Sequence, residues 1–516
     1  MQKYIILYNI IEFNTISYLC FKYSDDKIAM ESSGLKDKTA KGVLWGGLGT
    51  FFYQFLSLVF GIFLARLLNA EDYGVVGLLT VFSLLANTFT ESGFTKALIN
   101  RSEIKQEDYN AVFWFNIMMG IILYIILFFC APWIARFYQE PRLTELSRFV
   151  FLSIPISALG VAPSAYMYKK LMVKQRTLAT WLALILSSTV GVILAFHHFA
   201  YWGLAVQTVL FVGTITLFTY VFSKWKPTLQ FSSVPLKEMF PYSVKLIITR
   251  IVTVVNTNLF TIFFGKFFSV KTVGNYNQGN KWASFGMGLI TGIMTNLTQP
   301  VLSTIDQEKE RHYAAFRKLV RFTAFLGFPV MLGMAYVAQE LIVILITEKW
   351  AASASIMSVL CVGYAFYCIG TVFSDLLLQK GRSDLYLYVN ILSGVAQLLC
   401  LVLLYPYGMK ALLLSSVAIQ IAVLFVWYLF VYKEIQYKLK HFIGDVMTFA
   451  AITTLSILAA HFILLPVKNL YLLFVLKVLI VAVLYTGILY TCKAVILRES
   501  FEYLRRYAVG FFRKRI

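Results

Sequence analysis

Apolar residues in this chain fall into blocks, each closed off by a short and mostly basic loop. A block of about 20 residues is the length of a helix that crosses the hydrocarbon of a bilayer. Fourteen such spans are predicted, near 45–65, 75–95, 111–131, 149–168, 178–196, 202–222, 243–264, 282–302, 320–346, 353–378, 386–404, 411–431, 443–464 and 470–491. Only 14% of residues are charged and 59% are hydrophobic, whereas soluble domains run nearer a quarter charged. The expected fold class is an all-α polytopic membrane protein.

A formal charge of +21 raises the question of a nucleic-acid partner, but the distribution of the cations excludes one. With the N-terminus in the cytoplasm, alternate loops carry Lys36, Lys38 and Lys41, then Lys96, Arg101 and Lys105, then Lys169, Lys170, Lys174 and Arg176. The series continues through Lys224 to Lys237, Lys309 to Arg321, Lys380 and Arg382, Lys433 to Lys440, and Lys493 to Arg515. About 30 cations fall on that side against roughly nine on the other, the bias that keeps basic loops in the cytoplasm. Both termini are therefore predicted to be cytoplasmic. Residues 1–29 hold a short apolar run, Tyr4–Ile11, without a cleavage pattern, so a signal peptide is not expected. Met30 stands just before a polar, basic lead into the first span. The expectation is that Met30 is the biological start or that the preceding residues form a dispensable cytoplasmic segment.

Enzyme chemistry finds no constellation here. His197, His198, His312, His441 and His461 are scattered, and no carboxylate or His completes a metal set with Cys361 and Cys368. No phosphate-cradling Gly-x-x-x-x-Gly-Lys-Ser/Thr loop is present, which argues against direct drive by ATP. The longest outer loop, from about Pro132 to Arg148, is short for a membrane polymerase or ligase with extracytoplasmic catalytic groups. Neither a cofactor nor a metal is expected.

An internal repeat sets the organisation. Leu64-Ala-Arg-Leu-Leu-Asn69 followed by Gly74 lines up with Phe264-Gly-Lys-Phe-Phe-Ser269 followed by Gly274, an offset of 200. Thr95–Asn100 resembles Thr298–Ser303, Gln175-Arg176 matches Gly381-Arg382, and Tyr201-Trp-Gly203 resembles Pro406-Tyr-Gly408. Six spans separate equivalent positions, so both copies point the same way, as in parallel repeats about an axis along the membrane normal. The division predicted is a cytoplasmic segment 1–38, one six-helix lobe at 39–226, a second at 227–432, and two further helices with a basic tail at 433–516.

Polar residues recur on one face of four spans. In span 7, Arg250, Thr253, Thr257 and Thr261 stack at helical spacing, and in span 8 so do Lys281, Ser284, Gly288, Thr291, Thr295 and Gln299. The repeat projects these onto Thr50, Gln54, Ser57 and Gly61 in span 1 and onto Thr80, Asn87 and Glu91 in span 2. Small and hydroxyl residues also serve tight helix packing. Arg250, Lys281 and Glu91 favour a water-filled path between the lobes, because charges within a membrane are costly and mark function. Lys281 also lies where a lysine can snorkel to headgroups. Glu91 pairs with Arg250 or serves as an ion-coupling carboxylate, and Asn256 and Asn258 hydrogen-bond a sugar or bridge helices. Asp375 and Lys380 read as structural, and Lys477 has no role legible in the sequence. The candidate substrate-binding set is Gln54, Ser57, Asn87, Glu91, Arg250, Thr253, Asn256, Thr257, Asn258, Lys281, Thr291, Thr295 and Gln299.

Several runs resemble Wzx-type polysaccharide exporters, particularly the colanic-acid exporter branch. They are Leu64-Ala-Arg-Leu-Leu-Asn-Ala-Glu-Asp-Tyr-Gly74, Glu91-Ser-Gly-Phe94, Ala97-Leu-Ile-Asn-Arg101, Tyr109-Asn-Ala-Val-Phe-Trp-Phe-Asn116, Val255-Asn-Thr-Asn-Leu259 and Gly274-Asn-Tyr276. The resemblance spans roughly Lys36 to Tyr432. That family belongs to the multidrug/oligosaccharidyl-lipid/polysaccharide exporter superfamily, and the resemblance implies two pseudo-symmetric helical bundles forming a V. It implies as substrate an undecaprenyl-pyrophosphate-linked oligosaccharide, flipped across the bacterial cytoplasmic (inner) membrane for lipopolysaccharide or other surface polysaccharide. Membrane lipids and a polysaccharide polymerase are the implied partners. The rival function is an ion-coupled multidrug exporter of the same superfamily, which should favour buried carboxylates over cations.

Overall fold

The structure is a computed structural model and describes residues 32–91, 94, 98, 104–229, 232–494 and 496–499. The readings of residues 1–29 and of the basic tail beyond 499 lie outside the described residues. The described chain is helical throughout: α1 (Ser32–Leu67), α2 (Ala70–Glu91), α3 (Gln106–Tyr138), α4 (Leu143–Val150), α5 (Ser153–Lys169), α6 (Val173–Phe196) and α7 (Tyr201–Ser223) form one bundle. A second follows with α8 (Val234–Phe267), α9 (Val270–Thr304), α10 (Lys309–Tyr336), α11 (Ala338–Ile346), α12 (Ala351–Gln379), α13 (Ser383–Leu404) and α14 (Gly408–Ile435). Then come α15 (Leu439–Leu464), which contains a π-helical turn at Ile443–Met447, and α16 (Leu470–Thr491).

The helix order repeats. In each bundle a long third helix is followed by a short one, α4 or α11, and then by the most buried helix of the bundle, α5 or α12. Start signals repeat as well: Asp72 accepts from the backbone N–H of Asn69 before α2, and Ser269 accepts from that of Thr272 at the start of α9. The turn Lys170–Met172, with Leu171 at positive φ, corresponds to Lys380–Arg382, with Gly381 at positive φ. Backbone geometry therefore registers the later helices four residues away from the Gln175–Gly381 alignment.

Twelve stretches among the described residues are long and apolar enough to cross a membrane, rather than fourteen. Two of the expected spans, 386–404 and 411–431, merge into one apolar stretch interrupted by a tight turn at Tyr405–Tyr407. The span expected at 282–302 is absent from the twelve because α9 carries too many polar residues along its 35-residue length. The expected outer loop 132–148 is also mostly helix: Pro132 sits inside α3, and only Gln139–Arg142 separates α3 from α4.

The last two helices are held to the second bundle by ion pairs. Arg317 and Arg321 of α10 grip Asp445, a fully buried carboxylate that also accepts from the Tyr437 hydroxyl. Near the far end, Lys477 of α16 pairs with Glu340 of α11 at 2.8 Å and lies over the Tyr336 ring. Lys477 thus has the partner that the sequence did not reveal.

Candidate inter-bundle site

The two bundles meet where α2 crosses α9, and the crossing is self-complementary. A Cβ on Gly74 would fall 2.1 Å from the carbonyl oxygen of Val270, and one on Gly274 would fall 1.7 Å from that of Ala70. Gly77 faces Asn277. Positions 70, 74 and 77 correspond to 270, 274 and 277 at the repeat offset, so each surface contacts its own counterpart, as a twofold axis requires.

Just beyond this crossing, a clasp closes one end of the gap. Arg66 donates to the carbonyls of Leu345 at 2.7 Å and Ile344 at 2.9 Å, in the last turn of α11. Its repeat equivalent, Lys266, donates to the carbonyl of Phe137 at 2.9 Å in the last turn of α3. Both are cations laid on the negative end of a helix in the opposite bundle. Lys349 and Trp350 return the contact, donating to the carbonyls of Arg66 and Ala65.

Toward the other end the facing helices open. Thr80 and Leu84 of α2 are exposed, as are Gly288 and Thr295 of α9. A Cβ on Gly288 or Gly292 would meet nothing within 4 Å. The buried face of α9, with Trp282, Gly286, Ile290, Met294 and Thr298, packs instead on α12 and α10. The polar stripe of α9 is therefore left facing outward from its own bundle.

The sequence-predicted residues occupy this gap unequally. Lys281 lies against Gly61 of α1, its Nζ 3.0 Å from where a Cβ on that glycine would stand. It is water-accessible although protein surrounds it on several sides, and it has no carboxylate partner among the described residues. Arg250, on α8, is exposed and has no hydrogen-bond or ion-pair partner among the described residues. The stripe it begins ends at Thr261, which is buried at the crossing and donates to Asn277 at 3.0 Å. Gln54 is exposed and Ser57 half-buried on α1.

Thr253, Thr257 and Thr291 each donate to a backbone carbonyl of their own helix, at 2.9, 2.9 and 3.0 Å. Their hydroxyls can accept from a ligand but have no proton left to give. Free N–H donors on this face come from Arg250, Lys281 and Gln54. Asn256 is turned into its own bundle, donating to Asn390 at 2.7 Å and backing closely onto Gly394. Asn258 folds onto the carbonyl of Val254, and Asn87 accepts from Ser157 within the first bundle. Thr295 is exposed. Glu91 closes α2, and its side chain lies outside the described residues, so its pairing with Arg250 does too.

One residue read as structural lies beside the stripe. Gln299 donates to Asp375 Oδ1 at 3.2 Å, while Asp375 Oδ2 is buried without a partner among the described residues. The clasp residues Arg66 and Lys266 also escaped notice, although they align in the repeat. Their shared cationic character was the available signal.

A family model described as "Polysaccharide biosynthesis protein" matches residues 63–355. The chain is 26% identical over 364 residues to the lipopolysaccharide biosynthesis protein WzxC of Escherichia coli (strain K12), covering 69% of this chain and 73% of that one. It is 24% identical over 356 residues to the teichuronic acid biosynthesis protein TuaB of Bacillus subtilis (strain 168), with the same coverage. Among solved structures, the lipid II flippase MurJ in an inward closed conformation shares the fold, with a TM-score of 0.70 at 15% identity over 89% of this chain and 100% of that one.

Proposed function

The chain belongs to the polysaccharide biosynthesis protein family, and from that premise we propose that it flips an undecaprenyl-pyrophosphate-linked oligosaccharide across the bacterial cytoplasmic membrane by alternating access. WzxC and TuaB are named for the synthesis of surface polymers and MurJ for flipping a lipid-linked precursor, which supports the substrate class. The single observation that carries the reading is the pair Arg250 and Lys281, two cations without carboxylate partners among the described residues, on the open side of a gap clasped at its other end. A pyrophosphate cannot cross hydrocarbon unpaired. Fixed cations replace part of its lost hydration, with Arg suited to two-pronged phosphate contacts. Hydroxyl and amide acceptors along the stripes exchange with sugar hydroxyls without selecting one sugar.

In this reading the basic loops and both termini face the cytoplasm, and the lobes 39–226 and 227–432 rock about the glycine crossing. The helices α15 and α16 travel with the second lobe, held by Asp445 and Lys477. A polysaccharide polymerase takes the product on the outer face, and the chain itself transports rather than catalyses. Gln54, Ser57, Thr253, Thr257, Thr291, Thr295 and Gln299 form the glycan-facing surface, with Arg250 and Lys281 on the phosphates. Asn87, Glu91, Asn256 and Asn258 complete the proposed set as residues that shape the stripe.

Deleting the gene should leave lipid-linked repeat units on the cytoplasmic face, and the intact gene should clear them. Arg250→Ala and Lys281→Ala should each weaken export roughly 10- to 100-fold, the loss of a charge-assisted contact, with unchanged membrane insertion. Full export by both variants would sink the proposed site. The competing reading, an ion-coupled multidrug exporter, is favoured by one observation, the buried carboxylate of Asp375 on α12, beside Gln299 of the α9 stripe. Resistance to cationic dyes that depends on Asp375 would decide for it.

A further inference from the structure

A second cationic site stands apart from the gap, where α1 crosses α6. The helices touch closely at Gly49, whose Cβ would fall 2.5 Å from the Thr177 methyl. Beside that contact is a cavity of about 290 Å³, walled by Tyr53 of α1 and by Arg176, Thr177 and Trp181 of α6. The Trp181 indole is fixed by donating to the carbonyl of Gly49 at 3.1 Å. The Arg176 guanidinium lies on the Tyr168 ring, 3.1 Å from its centroid, and no carboxylate pairs with it among the described residues. At the rim, Lys174 lies 5.3 Å from the centroid of Trp45, which in turn packs against Trp181.

We propose that this crevice binds the phosphate of an anionic phospholipid of the surrounding bilayer. A half-buried guanidinium, a second cation and the hydroxyls of Tyr53 and Thr177, with no acid in the walls, form a receptor for a phosphate oxygen rather than for a cation or a neutral sugar. Tryptophan and tyrosine around it belong at headgroup depth, and basic pockets between membrane helices at the cytoplasmic side are where lipid phosphates bind. The crevice lies roughly 18 Å along α1 from the level of Gly61 and Lys281, and about a third of a turn around the helix. Thr50 of the α1 stripe also lines the cavity, so displacement by undecaprenyl phosphate is the measurement that separates a bilayer lipid from the substrate. The proposal rests on the proposed function only for its cytoplasmic depth. A lipid seated here fastens α1 to α6 at the end of α1 opposite the clasp.

The test is native mass spectrometry of the purified full chain titrated with phosphatidylglycerol or phosphatidylcholine. Wild type should retain phosphatidylglycerol preferentially, and Arg176→Gln should weaken that binding about tenfold, as loss of one charge-assisted contact does. Lys174→Gln, an exposed change that leaves the packing intact, should give a smaller loss in the same direction. Equal retention of the two lipids, or full retention by both Arg176→Gln and Lys174→Gln, overturns the proposal. So does undecaprenyl phosphate displacing phosphatidylglycerol from the Arg176-dependent site at equimolar amounts, because the crevice would then belong to the substrate.

Discussion

The two bundles share a helix plan but differ in where they place charge. At the repeat offset, Arg250 corresponds to Thr50 and Lys281 to Val81, so both cations proposed for the gap come from the second bundle. The second bundle also fastens α15 and α16 through Asp445 and Glu340. The first bundle fixes the end away from the clasp with aromatic rings, Tyr109, Phe113 and Trp225, and with neutral hydrogen bonds from Gln106 and Trp114 to the carbonyls of Lys226 and Thr228. A symmetric scaffold suits opening and closing, because both halves of a self-complementary contact separate together. A one-sided charge suits a ligand with one anionic head, which needs a single docking wall and a neutral wall to slide along.

The symmetric part of that contrast gives the largest expected effect. Gly74→Leu and Gly274→Leu each drive a side chain into the backbone of the other bundle, where even a Cβ would overlap a carbonyl oxygen. Each should cost more than about 3 kcal/mol, beyond ordinary overpacking, and should abolish export by keeping the clasped end apart. Export assays and thermal unfolding of the two variants should agree closely, since the sites are equivalent. A tolerated change at one position and a lethal one at the other would show that the crossing is not the pivot.

The helical membrane class and its doubling were legible because blocks of apolar residues and an offset of 200 are local, one-dimensional signals. The cations proposed for the gap stood out for the same reason: Arg250 and Lys281 interrupt apolar runs. What stayed hidden depends on three dimensions. Lys477 and Glu340 lie 137 residues apart, and only packing of α16 on α11 brings them together. Asn256 flanks the predicted stripe, and of its two expected roles, a sugar contact or a bridge between helices, its amide makes the bridge, to Asn390, a choice that a helical wheel cannot make. α9 is too polar to stand among the twelve apolar stretches, and only the crossing at Gly274 shows that its polar face lies outside its own bundle.

The asymmetric fastening of α16 gives the next effect. Lys477→Met leaves Glu340 buried beside Tyr336 without its cation, and breaking such a pair costs about 3 kcal/mol or more. The double change Lys477→Met with Glu340→Leu removes both charges and should recover most of that loss. Unfolding midpoints in detergent measure both. Because the first bundle has no such helix to lose, proteolytic fragments of the single variant should begin in 439–491 and leave 106–223 intact. Early cleavage in the first bundle would mean that the ion pair supports the whole molecule rather than one half.

The smallest effect tests how symmetric the clasp is. Arg66 makes two charge-assisted bonds across the gap and Lys266 makes one, each worth roughly 0.7 kcal/mol where water competes. Replacing either by Ala leaves the glycine crossing in place, so the protein should fold and the clasped end should merely open more often. A cysteine at Thr80, on the exposed side of α2 just past the crossing, reports that opening to an impermeant maleimide added at the clasped face. Labelling should rise about tenfold for Arg66→Ala and about threefold for Lys266→Ala, in proportion to the bonds removed. The double variant should multiply the two effects, as independent sites do. A double variant no faster than Arg66→Ala alone would mean that the two cations act as one latch, and that opening needs only the first bundle to let go.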